Sequence, residues 1–104
     1  MPVLAIYRYR VKPGRMADFY TKLGAAVDPK FESAVMAKNV RVYHDTVPGP
    51  ESEFVEIHIE YESMSAFGAR NDFEHKNIEW QQLFAPRQDS PEILVSVRLL
   101  TEMV

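Results

Sequence analysis

The sequence predicts an α+β fold in which two helices pack on one face of a four-stranded antiparallel sheet. Three observations predict it. Four segments alternate apolar and polar residues as strands do, two segments repeat apolar residues at helical spacing, and their order is strand, helix, strand, strand, helix, strand. A chain of 104 residues can bury one core but not two, so residues 1–104 are expected to form a single domain.

The first strand is predicted from Val3 to Val11, because its side chains alternate between two chemical types. One face carries Val3, Ala5, Tyr7, Tyr9 and Val11, and the other carries Leu4, Ile6, Arg8 and Arg10. The first face is apolar, whereas the second becomes cationic toward its end. Lys12-Pro13-Gly14 should end the strand, since proline has no amide hydrogen for the ladder and glycine permits a sharp turn.

The next segment has helical spacing. Apolar residues recur every three or four positions at Met16, Phe19, Leu23, Ala26 and Val27. Asp28-Pro29 should end this helix, because proline disfavours a helical conformation in the residue before it. The pattern of Phe31, Ala34 and Val35 predicts a second short helical piece from Lys30 to Ala37.

A hairpin is predicted from Asn39 to Tyr61, with strands at 39–47 and 54–61 and a turn at Pro48-Gly49-Pro50-Glu51. The second strand places Val55, Ile57, Ile59 and Tyr61 on one face and Phe54, Glu56, His58 and Glu60 on the other. Arg41 should face His58 and Tyr43 should face Glu56, because a one-residue slip would mix the polar and apolar faces.

The last helical region should begin at Ser63, a good N-cap residue, and could restart at Asn71-Asp72 before an apolar stripe that ends at Pro86. The run Glu74-His75-Lys76 is interpreted as a solvated helical surface, and Trp80 and Phe84 as core. After a polar loop at 86–91, a strand is expected from Glu92 to Leu100. Its predicted faces are Ile93, Val95, Val97 and Leu99 on one side and Leu94, Ser96, Arg98 and Leu100 on the other.

This order of elements is the ferredoxin-like βαββαβ arrangement, in which right-handed crossovers put both helices on the same face of the sheet. The other face would then expose Leu4, Ile6, Tyr43 and Phe54 among charged side chains. Such a contiguous apolar surface is unusual for a monomer, so we expect a homodimer that packs sheet against sheet. Buried charges should pair, Arg8 or Arg10 with Glu56 or Glu60.

The charged face of the sheet is also the best candidate for a functional site. His58 lies between Glu56 and Glu60 on its own face, so a carboxylate could fix its tautomer and let it act as a general base. We assign candidate catalytic roles to His58, Arg8 and Glu56. Candidate ligand-binding residues are Arg10, Arg41, Tyr43, Phe54 and Glu60. The alternative interpretation is a structural cluster of charges that fixes the strand register.

Composition excludes several classes of function. The chain has no cysteine, which removes thiolate chemistry and disulfides and fits a cytoplasmic protein. No apolar run is long enough to cross a bilayer, and the net charge of −3 disfavours nucleic-acid binding. Strand alternation puts His44 and His58 on opposite faces, so no metal site is expected.

Two segments carry a family resemblance. The opening Tyr7-Arg8-Tyr9-Arg10-Val11-Lys12-Pro13-Gly14-Arg15-Met16 resembles NIPSNAP-like and antibiotic-biosynthesis-monooxygenase-like members of the dimeric α+β barrel superfamily. The segment Ile78-Glu79-Trp80-Gln81-Gln82-Leu83 is similar to the part of NIPSNAP-like domains that precedes the last strand.

This resemblance implies a dimeric α+β barrel with a small-molecule pocket between sheet and helices. Members of the superfamily include cofactor-independent monooxygenases, haem-degrading oxygenases, isomerases and cyclases. A haem-degrading role is disfavoured, because Arg70 stands where the paired Trp would be sought and His75 is out of register, so no cofactor is expected. The resemblance therefore implies a small-molecule-binding protein, such as a cofactor-independent monooxygenase or isomerase acting on an aromatic or polyketide-like substrate. The alternative is a non-catalytic dimeric binding or stress-response module.

Overall fold

The computed structural model describes residues 1–47, 49 and 53–103. Its elements are β1 (Val3–Val11), α1 (Met16–Ala26), a single 3₁₀ turn (Pro29–Phe31), β2 (Asn39–His44), β3 (Phe54–Tyr61), α2 (Met64–Lys76), α3 (Ile78–Phe84) and β4 (Glu92–Thr101). The strands form one antiparallel sheet in the order β2-β3-β1-β4. The predicted α+β, ferredoxin-like fold is therefore confirmed, with β1 and β3 at the centre.

The hairpin register is the predicted one. Arg41 pairs with His58 and Tyr43 pairs with Glu56, so the apolar side chains of β2 and β3 stay on one face. β2 ends at His44, three residues earlier than expected. The predicted turn at Pro48-Gly49-Pro50-Glu51 lies outside the described residues except for Gly49, whose φ of +136° favours glycine.

The core lies between the sheet and the helices. Phe19 of α1 is completely buried, and its ring lies 5.2 Å from that of Tyr9, between centroids. Val11, Val55 and Ile57 complete this buried cluster. Because Tyr9 and Val55 face α1, the alternate residues of β1 and β3 must face away from the helices. We call that second surface of the sheet the open face.

A bulge in the pairing of β1 with β4 makes one prediction about β4 wrong. Arg8 pairs with Ser96, but Tyr9 pairs with Leu94, so Val95 is an extra residue in β4. The extra residue reverses the alternation beyond it. Ile93 therefore pairs with Arg10 on the open face. The sequence pattern predicted that Ile93 would share a face with Val97 and Leu99, and this prediction is wrong.

The predicted helical piece from Lys30 to Ala37 is also wrong beyond its first turn. The 3₁₀ turn Pro29–Phe31 is capped by the Asp28 carboxylate, which accepts a 2.9 Å hydrogen bond from the Lys30 amide. Helix does not continue, because the Ser33 hydroxyl donates to the carbonyl of Val35 and so competes with the helical backbone pattern.

The last helical region is capped as predicted but divided at a different residue. The Ser63 hydroxyl accepts a 3.1 Å hydrogen bond from the Ala66 amide and begins α2. α2 continues through Asn71 and Asp72 to Lys76. The break falls at Asn77, where the side chain accepts from the Trp80 amide and caps α3.

β4 is exposed on both of its faces. Val97 and Leu99 pair with Tyr7 and Ala5 on the helix side, yet 51% and 40% of their surfaces are exposed. The helices therefore leave this edge of the sheet uncovered. In the described part of the chain, none of the helices has the length and apolar character needed to cross a membrane.

Candidate functional site

The three side chains predicted as catalytic meet on the open face. Arg8 of β1 lies opposite Glu56 of β3, and its Nη1 donates a 2.9 Å hydrogen bond to Glu56 Oε2. His58 Nε2 lies 3.0 Å from the other oxygen, Glu56 Oε1. Arg8 Nη2 also donates to Asp45 Oδ2 at 3.1 Å. Of the pairings expected for Arg8 or Arg10 with Glu56 or Glu60, the structure thus shows Arg8 with Glu56, and Asp45 joins it from the end of β2.

The carboxylate at the centre of this network is held in its charged form. The hydrogen bond from His58 lowers the pKa of Glu56. Partial burial raises that pKa, and the hydrogen bond and charge of Arg8 lower it again. With Nε2 directed to the carboxylate, Nδ1 of the His58 ring makes no hydrogen bond with any other described residue. A histidine oriented in this way can accept a proton from a group placed beside Nδ1.

Two of the predicted ligand-binding residues pack against the network. The ring of Tyr43 lies 4.7 Å from that of His58, between centroids, and the guanidinium of Arg8 lies 4.2 Å above the centroid of Phe54. Arg8, Tyr43, Asp45, Phe54, Glu56 and His58 together are called the open-face cluster below.

The other three predicted residues do not join it. Glu60 lies 3.7 Å from Lys38 Nζ, an ion pair at the far end of β3. Arg10 and Arg41 are exposed, and neither side chain has a hydrogen bond or ion pair with another described residue. The open-face cluster thus includes five of the eight predicted residues, and the other three lie elsewhere on the same face.

A second polar cluster, on the helix side of the sheet, was not predicted. Arg70 of α2 is only 5% exposed, and its Nη1 donates to the carbonyl of Phe31 at 2.6 Å and to the Ser33 hydroxyl at 3.0 Å. Its guanidinium carbon also lies 4.7 Å and 5.1 Å from the ring centroids of Phe73 and Trp80. Arg70 therefore fastens α2 to the irregular segment after α1.

Glu74 is the partner of Arg70 in this cluster. Its Oε2 accepts a 2.9 Å hydrogen bond from Arg70 Nε, and 21% of its side chain is exposed. Burial raises the pKa of Glu74, although Arg70 partly offsets the shift. Burial, followed by the charge of Glu74, also raises the pKa values of Tyr7 and Tyr61. Glu74 is therefore not the solvated surface residue that the sequence suggested, whereas His75 and Lys76 are exposed as expected.

Two clefts lie on either side of α3. The α2–α3 cleft has a volume of about 400 Å³ and is lined by Glu74, His75, Trp80, Gln81, Phe84, Ala85 and Pro86. The α1–α3 cleft has a volume of about 330 Å³ and is lined by Ala25, Asp28, Lys30, Phe31, Glu79, Gln82 and Leu83. Both reach the lower end of the range for small-molecule sites, roughly 300 Å³. His58 lines neither cleft.

One signal in the sequence could have revealed the second cluster. Arg70 and Glu74 are spaced i, i+4 on the predicted helix, on the same face as Phe67. An ion pair on the apolar side of a helix indicates a buried polar contact. No spacing rule, however, could place Phe31 and Ser33 beside Arg70, because those residues lie in an irregular segment.

The fold was compared with known proteins. No family model matches the chain, and no curated protein matches its sequence. Solved structures do match. A NIPSNAP family protein from Agrobacterium tumefaciens has a TM-score of 0.71 at 17% identity, over 99% of this chain and 94% of its own.

Two further neighbours carry monooxygenase names. A protein named as a candidate antibiotic biosynthesis monooxygenase, from Bordetella bronchiseptica, has a TM-score of 0.64 at 20% identity, over 99% of this chain and 98% of its own. A candidate monooxygenase from Shewanella loihica has a TM-score of 0.66 at 11% identity, over 99% and 95%. The chain therefore has the α+β fold shared by NIPSNAP-type and antibiotic-biosynthesis-monooxygenase-type proteins, as its sequence resemblance implied.

Proposed function

We propose that this chain is a small-molecule-binding protein that works as a homodimer and holds an aromatic ligand in the α2–α3 cleft. The observation that carries the proposal is the composition of that cleft. Trp80 and Phe84 form a tilted aromatic pair with centroids 4.9 Å apart, and the carboxylate of Glu74 and the amide of Gln81 line the same space. Apolar walls with a few polar groups are typical of ligand sites.

Exposed apolar side chains on the open face support the proposal of a homodimer. Tyr43, Ile93 and Leu100 lie on that face, and 46%, 42% and 40% of their surfaces are exposed in the single chain. Burying them against a second copy removes apolar surface from water. Among the charges there, Arg8 is already paired with Asp45 and Glu56, whereas Arg10 and Arg41 would have to find partners on the second copy or remain in water at the edge of the contact.

A thermal-shift screen with phenols and quinols tests the ligand site. A compound that binds the folded chain raises the melting temperature by mass action. Ala85→Trp fills the α2–α3 cleft and should abolish the shift. The matched control is Ala25→Trp, which fills the α1–α3 cleft and should leave the shift unchanged. A shift that survives in Ala85→Trp and disappears in Ala25→Trp would assign the ligand to the other cleft.

Catalysis at the open-face cluster is a second candidate function, as a cofactor-independent monooxygenase or isomerase acting on an aromatic or polyketide-like compound. The observation that favours it is the contact of His58 Nε2 with Glu56, which orients the ring as a general base requires. His58→Ala should then abolish turnover and leave the dimer folded. Loss of folding in this variant would instead support a structural role, in a non-catalytic binding or stress-response module.

A further inference from the structure

The Glu74 carboxylate has one oxygen engaged and one available. Oε2 accepts from Arg70 Nε, whereas no described residue donates a hydrogen bond to Oε1. The carboxylate also lines the α2–α3 cleft, beside the rings of Trp80 and Phe84. Oε1 is open to solvent and not buried, so a ligand hydroxyl that enters the cleft can donate to it in place of water.

The charge around Glu74 indicates which kind of donor fits. Arg70 already neutralises the carboxylate, and its guanidinium lies within 5.1 Å of the Trp80 ring centroid. A ligand ammonium would enter a site that already holds a cation against the same aromatic ring. A neutral hydroxyl meets no such repulsion, and it forms a charge-assisted hydrogen bond with the carboxylate.

The groups that face Glu74 from the neighbouring elements support this. Tyr7 on β1 and Tyr61 on β3 are phenols whose pKa values are raised by burial and then by the carboxylate, so both stay neutral near pH 7. Arg70 and His75 belong to α2 itself, and His75 Nδ1 lies 2.8 Å from the carbonyl of Asn71. The single cation in contact with the carboxylate is therefore Arg70, as far as the described residues are concerned.

We infer that Glu74 is the polar anchor of the α2–α3 cleft and that its Oε1 accepts the hydroxyl proton of a neutral phenolic or enolic ligand. Arg70 acts as a positioning residue, because it fixes the carboxylate through Oε2 and is itself held by Phe31 and Ser33. This inference rests on the proposed function, since it names the ligand class that the cleft would take.

Three naphthalene probes test it. 2-Naphthol carries the hydroxyl, 2-methoxynaphthalene lacks the donor, and 1-naphthylmethylamine replaces it with a cation. Trp80 is the only tryptophan in the chain, so its indole N–H gives a single signal that reports on the cleft in a ¹H–¹⁵N spectrum. In the wild-type protein at pH 7, 2-naphthol should bind about tenfold more tightly than the ether, as expected for one hydrogen bond to a charged group. The amine should bind no better than the ether.

Glu74→Gln should remove the preference for 2-naphthol, because the amide keeps the shape of the side chain but turns an amino group toward the ligand. Glu79→Gln, an exposed glutamate of α3 that pairs with Lys30, is the matched control and should keep the preference. If the wild-type protein binds 2-naphthol and its ether equally well, or binds the amine more tightly, the proposed role of Glu74 is wrong. The proposed function, binding of an aromatic ligand in the cleft, would still stand. No saturable shift of the Trp80 signal with any probe would overturn the proposed function, and the role of Glu74 with it. The comparison of probes in the wild-type protein stands even where Glu74→Gln fails to fold.

Discussion

Arg8 and Glu56 lie directly opposite each other on the two central strands, joined by a 2.9 Å hydrogen bond between Nη1 and Oε2. The contact links β1 to β3 on the face of the sheet that the helices do not cover. Because His58 shares the same carboxylate through Oε1, Glu56 contacts two other charged or titratable side chains, Arg8 and His58. Protonation of this carboxylate should therefore weaken both contacts.

Stability should depend on the charge of Glu56. Its pKa is lower in the folded chain than in the unfolded chain, so its contribution to stability is fully present above the unfolded value, roughly 4.3. That contribution should be lost as pH falls through the folded value. Urea unfolding of the wild-type protein and Glu56→Gln across acidic pH measures the difference. The gap in stability between them should narrow on acidification, and a gap that stays constant with pH would contradict the assignment.

Replacing Arg70 should be among the most damaging changes in the chain. Arg70→Met leaves the Glu74 carboxylate and the Phe31 carbonyl without their buried donor, which typically costs about 3–5 kcal/mol. Arg87→Met is the control, because Arg87 lies on an exposed loop and such changes usually stay within about 0.5 kcal/mol. Equal losses in the two variants, measured by chemical unfolding, would show that the buried cluster does not stabilise the fold.

The proposed dimer should depend on the open face. Leu100→Arg places a charge among the exposed apolar side chains there and should shift the protein toward monomer, by light scattering after size exclusion. Val27→Arg is the matched control, since Val27 is 79% exposed at the end of α1 and remote from the open face. Dissociation by Val27→Arg with none by Leu100→Arg would place the contact elsewhere.

The cap of α3 should hold the wall of the ligand cleft. Asn77→Ala removes the side chain that accepts from the Trp80 amide, and losing an N-cap costs about 1 kcal/mol. Because Trp80 follows the cap within α3, its fluorescence should change along with the loss of stability. Unchanged emission together with unchanged stability would show that the break between α2 and α3 does not depend on this cap.

The strand faces could be predicted from sequence because alternation in β1, β2 and β3 is governed by one rule, that paired residues share a face. The same rule failed at Ile93, since nothing in the apolar run of β4 marks Val95 as the bulge residue. The pairing of Arg8 with Glu56 is one of the four combinations that the charged faces of β1 and β3 allowed, and only the register of the structure selects it.

The helix-side site could not be predicted in the same way, because it depends on contacts between distant parts of the chain. Lys22 Nζ and Glu92 Oε2 form a buried ion pair at 2.7 Å across 70 positions of sequence, and Arg70 reaches back 39 positions to Phe31. Helical periodicity states which residues share a face but not which loop covers them. The clefts beside α3 likewise follow from the break at Asn77, which the sequence pattern placed at Asn71.

A crystal structure of the chain with bound 2-naphthol tests the account most directly. We expect ligand density in the α2–α3 cleft, with the ligand hydroxyl within hydrogen-bond distance of Glu74 Oε1, and a second copy of the chain covering Tyr43, Ile93 and Leu100. Ligand density beside His58, or an open face that lies in solvent around an isolated chain, would contradict it.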